Sequence, residues 1–195
     1  APEFLYQASR YRANLYAEGM KKAMQNRDVI KECLNAYRDD EHKMKPEDVY
    51  WPVSIFCGKC QKDTTEITDY DGEYGITYKC QCGNCETADI RKFKGAKLGW
   101  RVDWPMRWNE EKVVFEPGGK DHISPGGSYD TAKLVSKRIY GWDAPVTMRY
   151  DFVNLKGVPG KMSSSKGKVI ALPDALDIYQ AEVLRYLFAG TRPNT

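Results

Sequence analysis

Two strings in this sequence carry residue types and spacings that could do chemistry. The first is Lys161-Met162-Ser163-Ser164-Ser165-Lys166-Gly167. Two ammonium groups and three hydroxyls around a glycine form a natural clamp for a polyphosphate. The lysines neutralise charge, while hydroxyls and backbone N–H groups donate hydrogen bonds. The second string is Cys57-Gly58-Lys59-Cys60, then nineteen residues, then Cys80-Gln81-Cys82-Gly83-Asn84-Cys85. Tight cysteine pairs suit Zn²⁺, because one turn aims two thiolates at a tetrahedral centre and a second turn completes it. We take Cys57, Cys60, Cys80 and Cys82 as the ligand set. The sequence leaves open whether Cys85 replaces Cys80 or Cys82. A four-sulfur site has no open position, so the metal would be structural.

A third stretch, Phe115-Glu116-Pro117-Gly118-Gly119-Lys120-Asp121-His122, places glycines at the end of a strand. There the backbone can approach a ribose or phosphate closely, and a carboxylate such as Asp121 can accept ribose hydroxyl hydrogen bonds. Gly126-Gly127-Ser128 then opens a helix, whose N-terminus favours anions. His122, in this glycine loop, is a better candidate than His42, which lies in a charged, solvated loop.

Elements must hold these groups. The chain has 195 residues, 42% hydrophobic and 29% charged, with a net charge of +3. That suits one medium domain, or one domain with a small insert, and excludes neither enzyme nor binding module. The mild charge does not announce a nucleic-acid binder. No apolar run approaches the roughly 20 residues that a membrane span needs. Helical spacing runs from Phe4 to Met24, and again from Asp28 to Tyr37 with Cys33 on the apolar face as a buried small hydrophobe. A polar loop, Asp39 to Asp48, follows. Short strands are expected at Val53–Phe56, Thr64–Thr68, Tyr74–Tyr78 and Thr87–Ile90, too short to enclose a core without a metal's help. After Leu98 the pattern turns α/β. A strand is expected at Val113–Phe115, a helix over Ser128–Ile139 and a strand over Val146–Val153, with helices at Pro173–Tyr179 and Glu182–Phe188. Trp104 and Trp108 read as core residues of a strand-rich segment. Clustered cysteines favour a metal over disulfides, and with it a reducing, cytoplasmic address.

The ordered string Lys161 to Gly167 resembles the KMSKS signature of class I aminoacyl-tRNA synthetases, in its KMSSSKG form. The stretch around Asp121-His122 resembles that class's GxDH-type segment. Trp100-Arg101-Val102-Asp103-Trp104-Pro105-Met106-Arg107-Trp108, then Gly119-Lys120-Asp121-His122, then Gly126-Gly127-Ser128-Tyr129-Asp130 are similar, in order, to the archaeal-type class I lysyl-tRNA synthetases. Those enzymes also carry a cysteine zinc ribbon ahead of the tryptophan-rich stretch, and the likeness covers essentially the whole chain.

The resemblance implies an α/β fold, the second half of a Rossmann-like catalytic domain with a zinc-ribbon-like insert and C-terminal helices. Its divisions would be a helical segment (1–50), the insert (51–97), the second half of the catalytic domain with the KMSSSKG loop (98–170) and the start of a helical region (171–195). It implies ATP-dependent ligation of L-lysine to tRNA(Lys) through lysyl-adenylate, with Mg-ATP as substrate and zinc as a structural metal. Lys166, assisted by Lys161, would stabilise the pyrophosphate leaving group. Met162, Ser163, Ser164, Ser165, Gly118, Gly119 and Asp121 would border the nucleotide, and Trp100, His122 and Tyr150 would enclose the lysine. Aromatic faces suit an alkyl-ammonium chain. The ribbon would touch the tRNA acceptor end. No HIGH-type motif occurs, and the chain opens abruptly inside a helix, so an inactive internal fragment is expected. The alternatives are a non-catalytic zinc-ribbon RNA-binding module with Lys92, Lys94, Lys97 and Arg101 on its surface, or a class I synthetase for another amino acid.

Overall fold

The computed structural model describes residues 2–154 and 169–190, together with positions 157, 162 and 167. It is a mixed helix-and-strand structure that divides into two compact units. One comprises Ala1–Val114 and Pro125–Pro145, the other Phe115–Ser124 and Val146–Thr195. No helix among the described residues is long and apolar enough to cross a membrane.

In the first unit the opening periodicity resolves into three helices, α1 (Gln7–Arg12), α2 (Ala17–Gln25) and α3 (Arg27–Asn35). The single helix expected from Phe4 to Met24 is broken at Asn14, whose φ is 57°. Asparagine tolerates this left-handed backbone better than most residues. Its side-chain amide donates to the carbonyls of Ile90 and Phe93, each at 2.9 Å. Distant partners therefore end the helix. The apolar stripes act as expected: α2 buries Met20, Ala23 and Met24, and α3 buries Ile30, Cys33 and Leu34. The loop beyond α3 includes a short 3-10 turn at Asp40–His42, and His42 is exposed.

Five short strands follow. β1 (Val53–Ile55) pairs antiparallel with β5 (Ala96–Leu98), and between them β2 (Thr65–Tyr70), β3 (Gly75–Cys80) and β4 (Cys85–Asp89) form an antiparallel meander. On β3 the alternation is clear, with Ile76, Tyr78 and Cys80 buried. The Trp100–Trp108 segment is helical rather than strand-rich: α4 spans Trp100–Glu110 with Pro105 inside it. Proline removes one helical hydrogen bond and costs roughly 3 kcal/mol in a helix interior. Burial outweighs it. Val102, Trp104, Met106 and Trp108 are all buried, and Trp104 and Trp108 pack edge-on against Tyr129 of α6 (Ser128–Val135). α6 runs on through a π-helical turn, Ser136–Tyr140, and stops at Gly141, whose φ of 72° suits glycine. One buried cluster joins α2, α3, α4 and α6 to the inner side chains of β1, β3 and β5.

In the second unit, β6 (Gly118–Gly119) pairs in parallel with β7 (Arg149–Tyr150), and Phe115 forms an isolated parallel bridge with Val146. The longer strands expected at Val113–Phe115 and Val146–Val153 shrink to these pairings. The ladder ends because Lys120 turns at once into α5 (Lys120–Ile123), so that among the described residues β6 offers no partner past Tyr150. Near the C-terminus lie α7 (Leu172–Leu176) and α8 (Ala181–Gly190).

Candidate functional site

The cysteine cluster forms where β1 ends and where β3 turns into β4. In the first turn the Gln61 N–H donates to the Cys57 carbonyl at 2.9 Å, and the Cys57 N–H donates to the Lys62 carbonyl at 2.8 Å. In the second, the Gly83 N–H donates to the Cys80 carbonyl at 2.9 Å, with Gly83 in the left-handed region at φ 86°. Each turn thus curls two thiols inward. The four Sγ atoms of Cys57, Cys60, Cys80 and Cys82 lie within 4.8 Å of one another. Cys57 and Cys82 are 3.7 Å apart, as are Cys60 and Cys80. A tetrahedron with zinc–sulfur arms of about 2.3 Å has edges of about 3.8 Å, so the donor set fits Zn²⁺. Cys85 opens β4, exposed and outside the cluster.

Polar groups around the sulfurs favour thiolates. The backbone N–H of Cys60, followed by that of Lys59, holds the Cys57 thiol down at about 6. The Cys82 N–H and the Thr64 hydroxyl lower Cys80. For Cys82 the Asn84 N–H is the largest influence and a lowering one, but the neighbouring thiols and desolvation together carry it up to about 11. Like-charged thiolates at this spacing cannot all ionise unaided, whereas a bound cation reverses that repulsion. Behind the sulfurs, Asn84 donates to Cys57 Sγ at 3.6 Å and to Glu86 Oε2 at 3.0 Å. The Tyr78 hydroxyl donates to the same carboxylate and accepts from the Gly58 N–H at 2.8 Å. Such outer contacts orient metal ligands. Nothing in the sequence spacing marks Thr64, Tyr78 or Glu86 for this role.

The second unit gathers another set. Gly118 and Gly119 are buried in β6. A Cβ on Gly118 would come within 2.6 Å of the Ile123 side chain, and one on Gly119 within 2.7 Å of Asp121 Oδ1 and 3.8 Å of the Tyr150 ring. Glycine is what lets Asp121 and Tyr150 close on this strand. His122 lies beside Asp121, with Nε2 4.0 Å from Oδ1, and both are partly solvent-facing. A partner the sequence reading missed is Asp151, which pairs with Lys120 at 2.5 Å. The Lys120 ammonium and the Phe152 N–H hold the Asp151 carboxyl below its usual range. The Lys120 ammonium also sits 5.1 Å over the Phe152 ring.

Trp100 belongs to the first unit. It is half exposed at the start of α4 and stacked on Trp104 at 5.1 Å with an interplanar angle of 14°. Met162 is half-buried, while Lys161, Ser163, Ser164, Ser165 and Lys166 lie outside the described residues.

Comparison with known proteins adds a family. The profile described as tRNA synthetases class I (K) matches residues 1–195. The lysine–tRNA ligase of Treponema pallidum is 56% identical over 194 residues, covering 100% of this chain and 36% of the relative. That of Borreliella burgdorferi is 50% identical over the same coverage. The lysine–tRNA ligase of the archaeon Thermococcus kodakarensis is 44% identical, covering 98% of this chain and 36% of its own length. The chain therefore spans about a third of the length of these relatives. With the profile matching from end to end and relatives at this identity in both spirochaetes and archaea, the chain belongs to the class I (K) tRNA synthetases.

Proposed function

We propose that this chain is part of a lysine–tRNA ligase, contributing the second half of a Rossmann-like catalytic domain with a zinc-ribbon-like insert. The observation that carries the reading is the end-to-end match to lysine–tRNA ligases at up to 56% identity among the relatives named above. In the first step the lysine carboxylate attacks the α-phosphate of Mg-ATP, and pyrophosphate leaves. In the second, a hydroxyl of the tRNA terminal ribose takes the aminoacyl group and AMP departs.

Both steps rest on positioning and charge stabilisation, so no general base is assigned. Lys166, helped by Lys161, neutralises the charge that grows on the departing pyrophosphate, with Ser163, Ser164 and Ser165 as donors and Met162 bordering the nucleotide. Gly118 and Gly119 let backbone approach the nucleotide, and Asp121 accepts from the ribose hydroxyls. His122 and Tyr150 supply surfaces for the lysine side chain, and the family resemblance adds Trp100 to the residues assigned to it. Cys57, Cys60, Cys80 and Cys82 hold zinc, whose contribution is to cross-link two turns. Thiolate ligands suit a reducing compartment, in keeping with a cytoplasmic enzyme.

The test is ATP–pyrophosphate exchange in a chain extended to the length of its relatives, with tRNA present, comparing lysine, glutamate and cysteine. Lysine-dependent exchange that falls at least 100-fold in Lys166→Ala is expected, the usual scale for losing one charge-stabilising donor. Exchange with another amino acid, or none, would overturn the reading.

A further inference from the structure

We infer that the groove between α1, the first cysteine turn and β5 is a seat for a single strand of RNA. It is a cavity of about 420 Å³ whose lining includes Tyr11, Arg12, Phe56, Gln61, Lys94 and Lys97, and no carboxylate. Its charge sets it apart. Several basic side chains elsewhere in the first unit sit on acids, among them Lys21 on Glu73, Lys43 on Asp40, Lys79 on Glu66, Arg91 on Asp89 and Arg107 on Asp103, whereas the groove gathers cations around one concavity with no acid in its lining. Arg12, Lys94 and Lys97 are exposed and lie within ion-pair reach of no carboxylate among the described residues. Three unneutralised cations around one concavity make a site for a polyanion.

Two further features point to RNA rather than an acidic peptide. The groove has aromatic walls: Phe56 is half-buried with the Lys97 ammonium 5.0 Å from its centroid, and Tyr11 has its hydroxyl committed inward to Asp103. An aromatic ring framed by cations is what single-stranded RNA needs, since bases stack on the ring while phosphates meet the cations. At the rim, Gln61 holds a left-handed φ of 60°, a position glycine would occupy without strain. Its side-chain amide donates to the Gly58 carbonyl at 2.9 Å, fixing an exposed amide at the groove mouth where the carbonyl half can accept from a base.

This deepens the ligase reading by assigning the chain's RNA partner to one face, and it rests on that reading for the RNA being tRNA. The experiment is fluorescence anisotropy with a short labelled single-stranded RNA, without ATP or lysine, on the full chain. It compares the unaltered protein with Arg12→Ala/Lys94→Ala/Lys97→Ala and with a charge-matched control, Lys43→Ala/Lys133→Ala/Lys137→Ala. Circular dichroism confirms that each variant folds. Each lost phosphate contact returns about 0.7 counterion, so three losses weaken binding about 50-fold at roughly 0.15 M salt and flatten the log–log salt slope by about 2. The control should bind within a few-fold of the unaltered chain. Equal weakening in both variants, no weakening in the groove variant, or equally tight groove-dependent binding of a poly-glutamate peptide would overturn the inference. Failure of lysine exchange with groove-dependent RNA binding intact would instead remove only the ligase reading.

Discussion

Replacing Cys82 and Cys85 one at a time tests the metal site most directly, because their sequence spacing permits either as the fourth ligand. Cys82 Sγ lies 3.7 Å from Cys57 Sγ, whereas Cys85 stands across from Lys79 in the β3–β4 ladder. A tetrahedral edge of 3.7 Å corresponds to a centre-to-sulfur distance of about 2.3 Å, the zinc–thiolate bond length, so the four sulfurs can be met without moving either turn. Structural zinc affinities shared over four thiolates correspond to roughly 100- to 1000-fold per sulfur. Cys82→Ser should therefore weaken zinc by about that factor, while Cys85→Ser should leave it unchanged. The assay is metal content after dialysis against a graded series of chelator concentrations, with circular dichroism to confirm folding. One zinc per chain retained by Cys85→Ser and lost from Cys82→Ser at intermediate chelator is the expected result. Equal loss in both, or loss only in Cys85→Ser, would refute the geometric argument.

Trp108→Ala should cost about 3–5 kcal/mol, since the side chain is 1% exposed and packs between Trp104 and Tyr129; urea unfolding should show a lower midpoint. Tyr11→Phe removes a 2.5 Å hydrogen bond to Asp103 and strands the Leu98 N–H, while Arg107 keeps its hold on Asp103; about 1.5–3 kcal/mol of stability should be lost, measured in the same way. The Arg91 guanidinium holds the Asp89 carboxyl at about 2, below its value of about 3.9 in an unfolded chain. Because the folded value is depressed, this contribution is present above about pH 4 and disappears as pH falls through about 2. The stability gap between the unaltered protein and Asp89→Asn should accordingly narrow over that window in urea titrations at stepped pH, and a gap that stays constant would show that the pair does not contribute.

What could be read in advance follows from how far each feature reaches along the chain. The buried stripes of α2 and α3 depend on neighbours three and four residues away, so periodicity reveals them. The interruption at Asn14 depends on carbonyls at Ile90 and Phe93, which no local window contains. The tryptophan segment reads as strand-rich, yet Trp100, Trp104 and Trp108 recur every four residues along one helical face. That spacing was the available signal. The cysteine turns were legible as motifs, because each pair is held by a few local hydrogen bonds. Setting Cys82 rather than Cys85 beside Cys57 needed the register of β3 on β4. Likewise the pairing of Lys120 with Asp151 follows from the parallel ladder between β6 and β7, which the sequence gives no means of registering.

The same reach explains why a metal suits this part of the chain. β2 and β4 bury little, and the meander enters the core mainly through the inner face of β3, with Ile76, Tyr78 and Cys80, joined by Ala88 of β4. Five- and six-residue strands with one buried face gain too little from apolar burial to hold a fixed geometry alone. The base of the meander is anchored by Ile76, Ile90 and the Asn14 amide. Its far end, where β3 reaches Cys80, has no helix among the described residues packed closely against it to supply the same service. The four thiols sit at that end, and two of them, Cys57 and Cys80, belong to the same buried cluster as Met20 and Val102. A cation there would tie the tip of the meander to the end of β1, as the Asn14 amide ties its base to the start of α2. The wall of the basic groove adjoins the first cysteine turn, since Phe56 and Gln61 flank that turn, Lys94 precedes β5 and Lys97 lies within the strand. Fixing the turn would fix the groove, and that would give a structural metal a stake in the proposed recognition without any chemistry of its own.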